Sequence, residues 1–80
     1  MNQTQELLTI LMEEAAEVTV EASKIIRFQP SSYQTLESEI GDLTCMVELL
    51  AENGFIDMGN VAMCAAAKRE KLKKWSNLDV

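Results

Sequence analysis

Two short acidic signatures constrain this chain more than any other feature: Glu14-Ala15-Ala16-Glu17 and Glu39-Ile40-Gly41-Asp42, with 21 residues between them. Each pair has i, i+3 spacing, so on a helix both carboxylates of a pair point the same way. Two such pairs on facing helices form a cluster of four carboxylates. An oxygen-only cluster of that charge repels itself unless a hard cation sits within it, and Mg²⁺ is the usual one. The fold must therefore set two helices side by side, and the chemistry points to metal-assisted work on a phosphate.

Hydrophobic periodicity predicts three helices and no strand. The first runs from about Gln3 to Phe28, with Leu7, Leu8, Leu11, Ala15, Val18, Ala22, Ile25 and Ile26 at helical spacing. Gln29-Pro30-Ser31-Ser32 breaks it, because proline disfavours helix in the residue before it. Ser32 or Thr35 can cap the second helix, which carries Leu36, Ile40, Leu43, Val47, Leu50 and Ala51 on one face. Asn53-Gly54 is a helix stop. Asp57 can cap a third helix reaching about Trp75, with Val61, Ala65, Lys68, Leu72 and Trp75 as its stripe.

Helical-wheel positions separate the acids. Glu14, Glu17 and Glu21 line the edge of the first stripe, with Ile10 and Phe28 in the same arc, and Glu13 lies further toward solvent. Glu39 and Asp42 fall inside the second helix's apolar arc, among Leu43, Met46, Leu49 and Leu50. Glu37, Glu48 and Glu52 occupy the opposite, solvated arc. A buried carboxylate without a partner costs several kcal/mol, so Glu39 and Asp42 need a cation. Lys24, Arg27 or Lys68 could supply it as an ion pair, and so could a metal. Lys68 is the matching anomaly, a lysine in the third stripe, with Lys71 at that stripe's edge. Their stems either pack on the core while the ammonium groups reach water, or the two lysines reach into the acidic cleft and hold phosphate oxygens. Gly41 gives either close packing or backbone room beside a ligand.

Composition narrows the classes. The net charge of −6 argues against a nucleic-acid partner, but the charges are segregated. Residues 68–74 hold five of the seven cationic side chains, and the first 57 residues hold eleven of the thirteen acids. There is no histidine, which excludes Glu-x-x-His di-iron sites, imidazole-based zinc sites and Ser-His or Cys-His nucleophiles. Cys45 and Cys64 fall in apolar helical segments, are not paired as CxxC, and are expected to be buried reduced thiols. No apolar run approaches the ~18 residues of a membrane span. A cytoplasmic protein is expected. Eighty residues build a marginal core alone, and oligomerisation is the common remedy.

Together these residues resemble the MazG-type family of all-α nucleoside triphosphate pyrophosphohydrolases. That family's pattern is ExxE, a spacer, ExxD and a basic third helix. Here it reads Glu13-Glu14-Ala-Ala-Glu17, Glu39-Ile-Gly-Asp42-Leu43 and Lys68-Arg69-Glu70-Lys71-Leu72-Lys73-Lys74-Trp75. The stretch Ala22-Ser23-Lys24-Ile25-Ile26-Arg27-Phe28 is similar to small, including phage, MazG-like proteins. The resemblance covers roughly residues 7–75. Two features depart from it. Many members carry a further helix before the ExxE helix, and the Lys-Asn pair frequent in the third helix is replaced here by Lys68-Arg69.

The resemblance implies a bundle of about three helices per chain, completed by oligomerisation into a homodimer or a dimer of dimers. It implies a MazG-like domain over residues 1–75 and a frayed tail over 76–80. Glu14, Glu17, Glu39 and Asp42 would ligate Mg²⁺, with Mn²⁺ a possible substitute. Water would attack the α-phosphate of a (deoxy)nucleoside triphosphate, releasing the monophosphate and pyrophosphate, with Glu14 or Glu17 orienting or deprotonating it. Lys68 and Lys71, with Lys24 or Arg27, would hold phosphate oxygens. Phe28 or Trp75 could stack on the base, although core packing is the favoured role for both. The competing expectation is a non-catalytic dimeric helical module, its acids paired with Lys24, Arg27 and Lys68. Within the same fold, a phosphoribosyl-ATP pyrophosphohydrolase is a third possibility.

Overall fold

The computed structural model describes all residues from Met1 to Val80. It is all-α, with α1 spanning Gln3–Phe28, α2 Gln34–Glu52 and α3 Met58–Trp75. The ends of α1 are set by local chemistry. Asn2 Oδ1 accepts from the Gln5 amide at 2.8 Å, while the Gln5 side chain accepts from the Asn2 amide at 3.0 Å. This reciprocal box satisfies two backbone donors that the helix cannot. At the other end Gln29 turns left-handed (φ 46°) and donates its amide to Ile25 O, and Pro30 follows.

The second helix starts differently from expectation. Neither Ser32 nor Thr35 caps it. Tyr33 holds the capping position without a side-chain bond, Thr35 lies within the helix, and Ser32 Oγ accepts only from the Gln34 amide. The stop at Asn53-Gly54 forms as expected, with Gly54 at φ 77°, a conformation that glycine reaches without steric cost. Asp57 caps α3, its Oδ1 accepting from the Asn60 amide at 2.8 Å.

Helices α1 and α2 pack antiparallel and supply the chain's extensive tertiary contact. Met46 and Leu50 are its two buried residues. Leu7, Leu11, Val18 and Ile25 face inward as expected, joined by Ile10, Glu14 and Glu21, while Leu8, Ala15, Ala22 and Ile26 lie outside. On α2, Ile40 is likewise exposed.

The third helix has no comparable partner within the chain. Of its stripe only Leu72 is half-buried; Val61, Ala65, Lys68 and Trp75 are exposed. This corrects three expectations. Phe28 and Trp75 are 70% and 84% exposed rather than core residues. Cys45 and Cys64 are free thiols, but exposed ones. The physical reason is common to them: only α1 and α2 pack extensively within the chain, and these side chains lie outside that contact. The radius of gyration, 15.0 Å, exceeds the ~12 Å of a compact 80-residue chain. No helix is long and apolar enough to cross a membrane.

Candidate metal centre and phosphate site

The antiparallel pairing of α1 and α2 brings the two acidic signatures together. One carboxylate oxygen from each of Glu14, Glu17, Glu39 and Asp42 lies within 4.8 Å of the others. Glu14 and Glu39 are half-buried and point between the helices; Glu17 and Asp42 are exposed at the cleft mouth. Asp42 is thus less enclosed than its wheel position suggests. Glu21, although half-buried, stands outside the cluster.

Glu14 Oε2 and Glu39 Oε2 are out of contact with water and have no hydrogen-bond partner. Native structures rarely leave such atoms unsatisfied without a reason such as an ion. Loss of solvation, then the charges of Glu17 and Asp42, push the Glu14 carboxyl above its ordinary value. Glu39 is also raised, first by its contact with the Glu17 carboxylate, then by lost solvation and the surrounding negative charge. Two ionised carboxylates have no donor between them. They can hydrogen-bond only if one takes up a proton, which is why the contact favours the protonated form.

No cation of the chain answers this charge. Its single ion pair is Lys73–Glu70, at 2.9 Å on the outer face of α3. Lys24, Arg27 and Lys68, the residues able to neutralise Glu39 and Asp42, pair with none of the four carboxylates. Arg27 instead lies over the Phe28 ring, 5.1 Å from its centroid, and donates from Nε to Ser23 O. Lys24 is exposed one heptad beyond Glu17, a spacing that keeps nearly the same helix face. Lys68, Lys71 and Trp75 are exposed on α3. An added Cβ at Gly41 would meet nothing within 4 Å, so no close packing in the chain requires that glycine.

Beside the carboxylates lies a feature not singled out from the sequence, an open groove of about 240 Å³. Leu7, Ile10, Met46 and Leu49 wall it, and Gln3 and Glu6 form its rim. Leu7 and Ile10 precede Glu14 and Glu17 by seven residues each, and Met46 and Leu49 follow Glu39 and Asp42 by seven. Groove and carboxylates are consecutive layers of one cleft. That heptad offset was the available signal.

The four oxygens fit a hard divalent cation in number and chemistry, and the two orphaned oxygens are the atoms that such an ion would satisfy. Three helices with this ExxE and ExxD pairing form an all-α domain whose acidic cluster is consistent with a divalent-metal site. Residues 2–76 match the MazG nucleotide pyrophosphohydrolase domain, and the chain belongs to that family. No curated protein and no solved structure matches it. The family implies nucleotide pyrophosphohydrolase activity, and the acidic cluster is consistent with its metal site.

Proposed function

We propose that this chain hydrolyses a (deoxy)nucleoside triphosphate to the monophosphate and pyrophosphate in a Mg²⁺-dependent reaction. The observation that carries the proposal is the pair of buried, partnerless oxygens of Glu14 and Glu39 within a four-carboxylate cluster, in a chain of this family. Glu14, Glu17, Glu39 and Asp42 would hold the ion, with Mn²⁺ a possible substitute. When bound, the ion supplies charge neutralisation for the triphosphate and Lewis-acid assistance at phosphorus.

The chain's own residues supply the rest. The exposed Glu17, or Glu14 beside it, orients a water and accepts its proton. The water oxygen bonds to the α-phosphorus as the bond from that phosphorus to the α–β bridging oxygen breaks, and pyrophosphate leaves. Lys68 and Lys71 stabilise the charge gathering on the phosphate oxygens, with Lys24 and Arg27 able to contribute from the end of α1. Phe28 and Trp75, both exposed in the chain, are available to stack on the base. The alternative, a non-catalytic dimeric helical module, would have its acids paired with Lys24, Arg27 and Lys68; within one chain the ion pair formed is Lys73–Glu70.

The working unit is a homodimer, or a dimer of dimers. The chain exposes 6395 Å², whereas a compact monomer of 8.9 kDa exposes about 4,800 Å². The excess of about 1,600 Å² per chain is the scale that obligate dimers bury.

The test is pyrophosphate release from the eight common NTPs and dNTPs, with Mg²⁺ and with EDTA, for wild type and Glu39→Gln. Metal-dependent release that vanishes in the variant is expected. Release that persists at full rate in Glu39→Gln would overturn the assignment. Including phosphoribosyl-ATP in the panel separates the neighbouring activity.

A further inference from the structure

The cleft between α1 and α2 has a direction, and charge sets it. On one side of the four carboxylates lies the apolar groove, whose lining includes the carboxylate of Glu6 and no cation. On the other side lies Lys24, one heptad beyond Glu17. Triphosphate oxygens are repelled by Glu6 and attracted by Lys24. A nucleotide with its α-phosphate at the carboxylates therefore sends its outer phosphates toward Lys24 and its nucleoside toward the groove. The heptad between groove and carboxylates is about 10 Å along a helix, the reach from an α-phosphate across one sugar to a base.

The groove is built like a base site. Leu7, Ile10 and Leu49 are half-buried and Met46 is buried, so they offer apolar surface to a flat ring. Its polar groups stand along one edge. Gln3 and Glu6 are three residues apart, which puts them on one side of α1. Neither is committed elsewhere: the capping bonds at this end belong to Asn2 and Gln5, and the chain's ion pair is Lys73–Glu70. An apolar pocket with a few placed polar groups is one that orients and selects its ligand.

Resting on the function proposed above, we infer that this groove holds the nucleobase and that Glu6, with Gln3, selects guanine. A carboxylate only accepts hydrogen bonds, and its two oxygens match two adjacent donors. Guanine presents that pair on its Watson–Crick edge, the ring N1–H beside the N2 amine, with O6 next to them to accept from the Gln3 amide. Adenine and cytosine would set a ring lone pair against Glu6. Thymine and uracil carry one N–H between two carbonyls, so a carbonyl oxygen would face the second carboxylate oxygen. A buried polar edge left unpaired in this way is what rejects the wrong base.

The test is kcat/KM for dGTP, dITP, dATP, dCTP and dTTP with Mg²⁺, for wild type and Glu6→Gln. Wild type should prefer dGTP to dATP by about tenfold to a hundredfold, the scale of a hydrogen bond to a charged group. Deoxyinosine triphosphate lacks the N2 amine and should fall between them. A glutamine at this position can donate to adenine N1 and accept from its amine, so Glu6→Gln should move the preference toward dATP. A packing role for Glu6 would lower all five substrates alike. Equal kcat/KM for dGTP and dATP in wild type, or an unchanged preference in Glu6→Gln, overturns the inference.

A second readout does not need turnover. Methyl NMR of the wild type with Mg²⁺ and dGMP should show shifts at Leu7, Ile10, Met46 and Leu49, and dAMP should bind at least tenfold more weakly. Shifts confined to other residues, or equal dissociation constants for the two monophosphates, overturn the inference. A wild type that binds dGMP in the groove yet releases no pyrophosphate from any nucleotide supports the base site and counts against the proposed function instead.

Discussion

Glu14 and Glu39 face one another from α1 and α2, and each keeps one carboxylate oxygen away from water with no hydrogen-bond partner. The folded chain therefore carries unsatisfied carboxylate oxygens within a cluster of like charge, which a bound cation would satisfy. Mg²⁺ should stabilise the protein by about 2.7 kcal/mol at a hundredfold excess over its dissociation constant. For a domain of this size that raises Tm by roughly 10 °C or more. Thermal melts with Mg²⁺ and with EDTA measure the shift. Glu39→Gln should lose most of it, and an equal shift in that variant would place the ion elsewhere.

Lost solvation at Glu14, the Glu17 contact at Glu39 and the surrounding negative charge fix a pH dependence in the metal-free protein. The Glu14 and Glu39 carboxyls both lie above their ordinary value of 4.5. An acid raised in the folded state contributes stability that is fully present below its unfolded value and is lost as pH rises through the folded one. With EDTA present, these two groups should therefore raise Tm as pH is lowered from neutral toward the ordinary carboxylate value. Glu39→Gln should show a shallower rise. A Tm that falls over this interval would mean that other carboxylates, stabilised in the fold, dominate.

Much of this arrangement was legible in the residues, because the signals were local. Asp57 precedes a helical pattern and caps it; Asn53-Gly54 ends one; the i, i+3 acids on two apolar stripes predict the facing pairs. What stayed hidden depends on how little of the chain packs on itself. Trp75, Phe28, Cys45 and Cys64 look like core residues from their apolar neighbours. Yet α1 and α2 alone cannot enclose them, and α3 has no partner. Periodicity marks the apolar face of a helix and is silent on whether the chain covers it. The groove beside the carboxylates was missed for another reason: Leu7, Ile10, Met46 and Leu49 read as ordinary stripe residues until the heptad offset is counted.

Leu50 is 4% exposed and, with Met46, locks α1 against α2. Truncating a buried leucine typically costs about 2–5 kcal/mol, and in a core with only two buried residues no neighbour can take over its contacts. Leu50→Ala should fall within that range by urea denaturation. The metal-induced rise in Tm should also shrink, because the cluster exists only where α1 and α2 stay paired. Loss of stability with an undiminished metal response would show that the carboxylates assemble without this packing.

The Asp57 cap offers a separate view of α3. Isolated helices of this length are marginal in water, and α3 has little packing of its own within the chain, so its order depends on its cap and on whatever covers its stripe. Removing an aspartate cap costs about 1 kcal/mol. If α3 is fully ordered only when docked on a second copy, that cost appears in dimerisation, once per chain. Asp57→Ala should then weaken the dimer by roughly thirtyfold, since 1.4 kcal/mol is tenfold. Sedimentation across a dilution series measures this, and circular dichroism over the same series should show helicity falling with dilution sooner in the variant. An unchanged dissociation constant with a lower Tm would mean that α3 folds on its own chain before any second copy arrives.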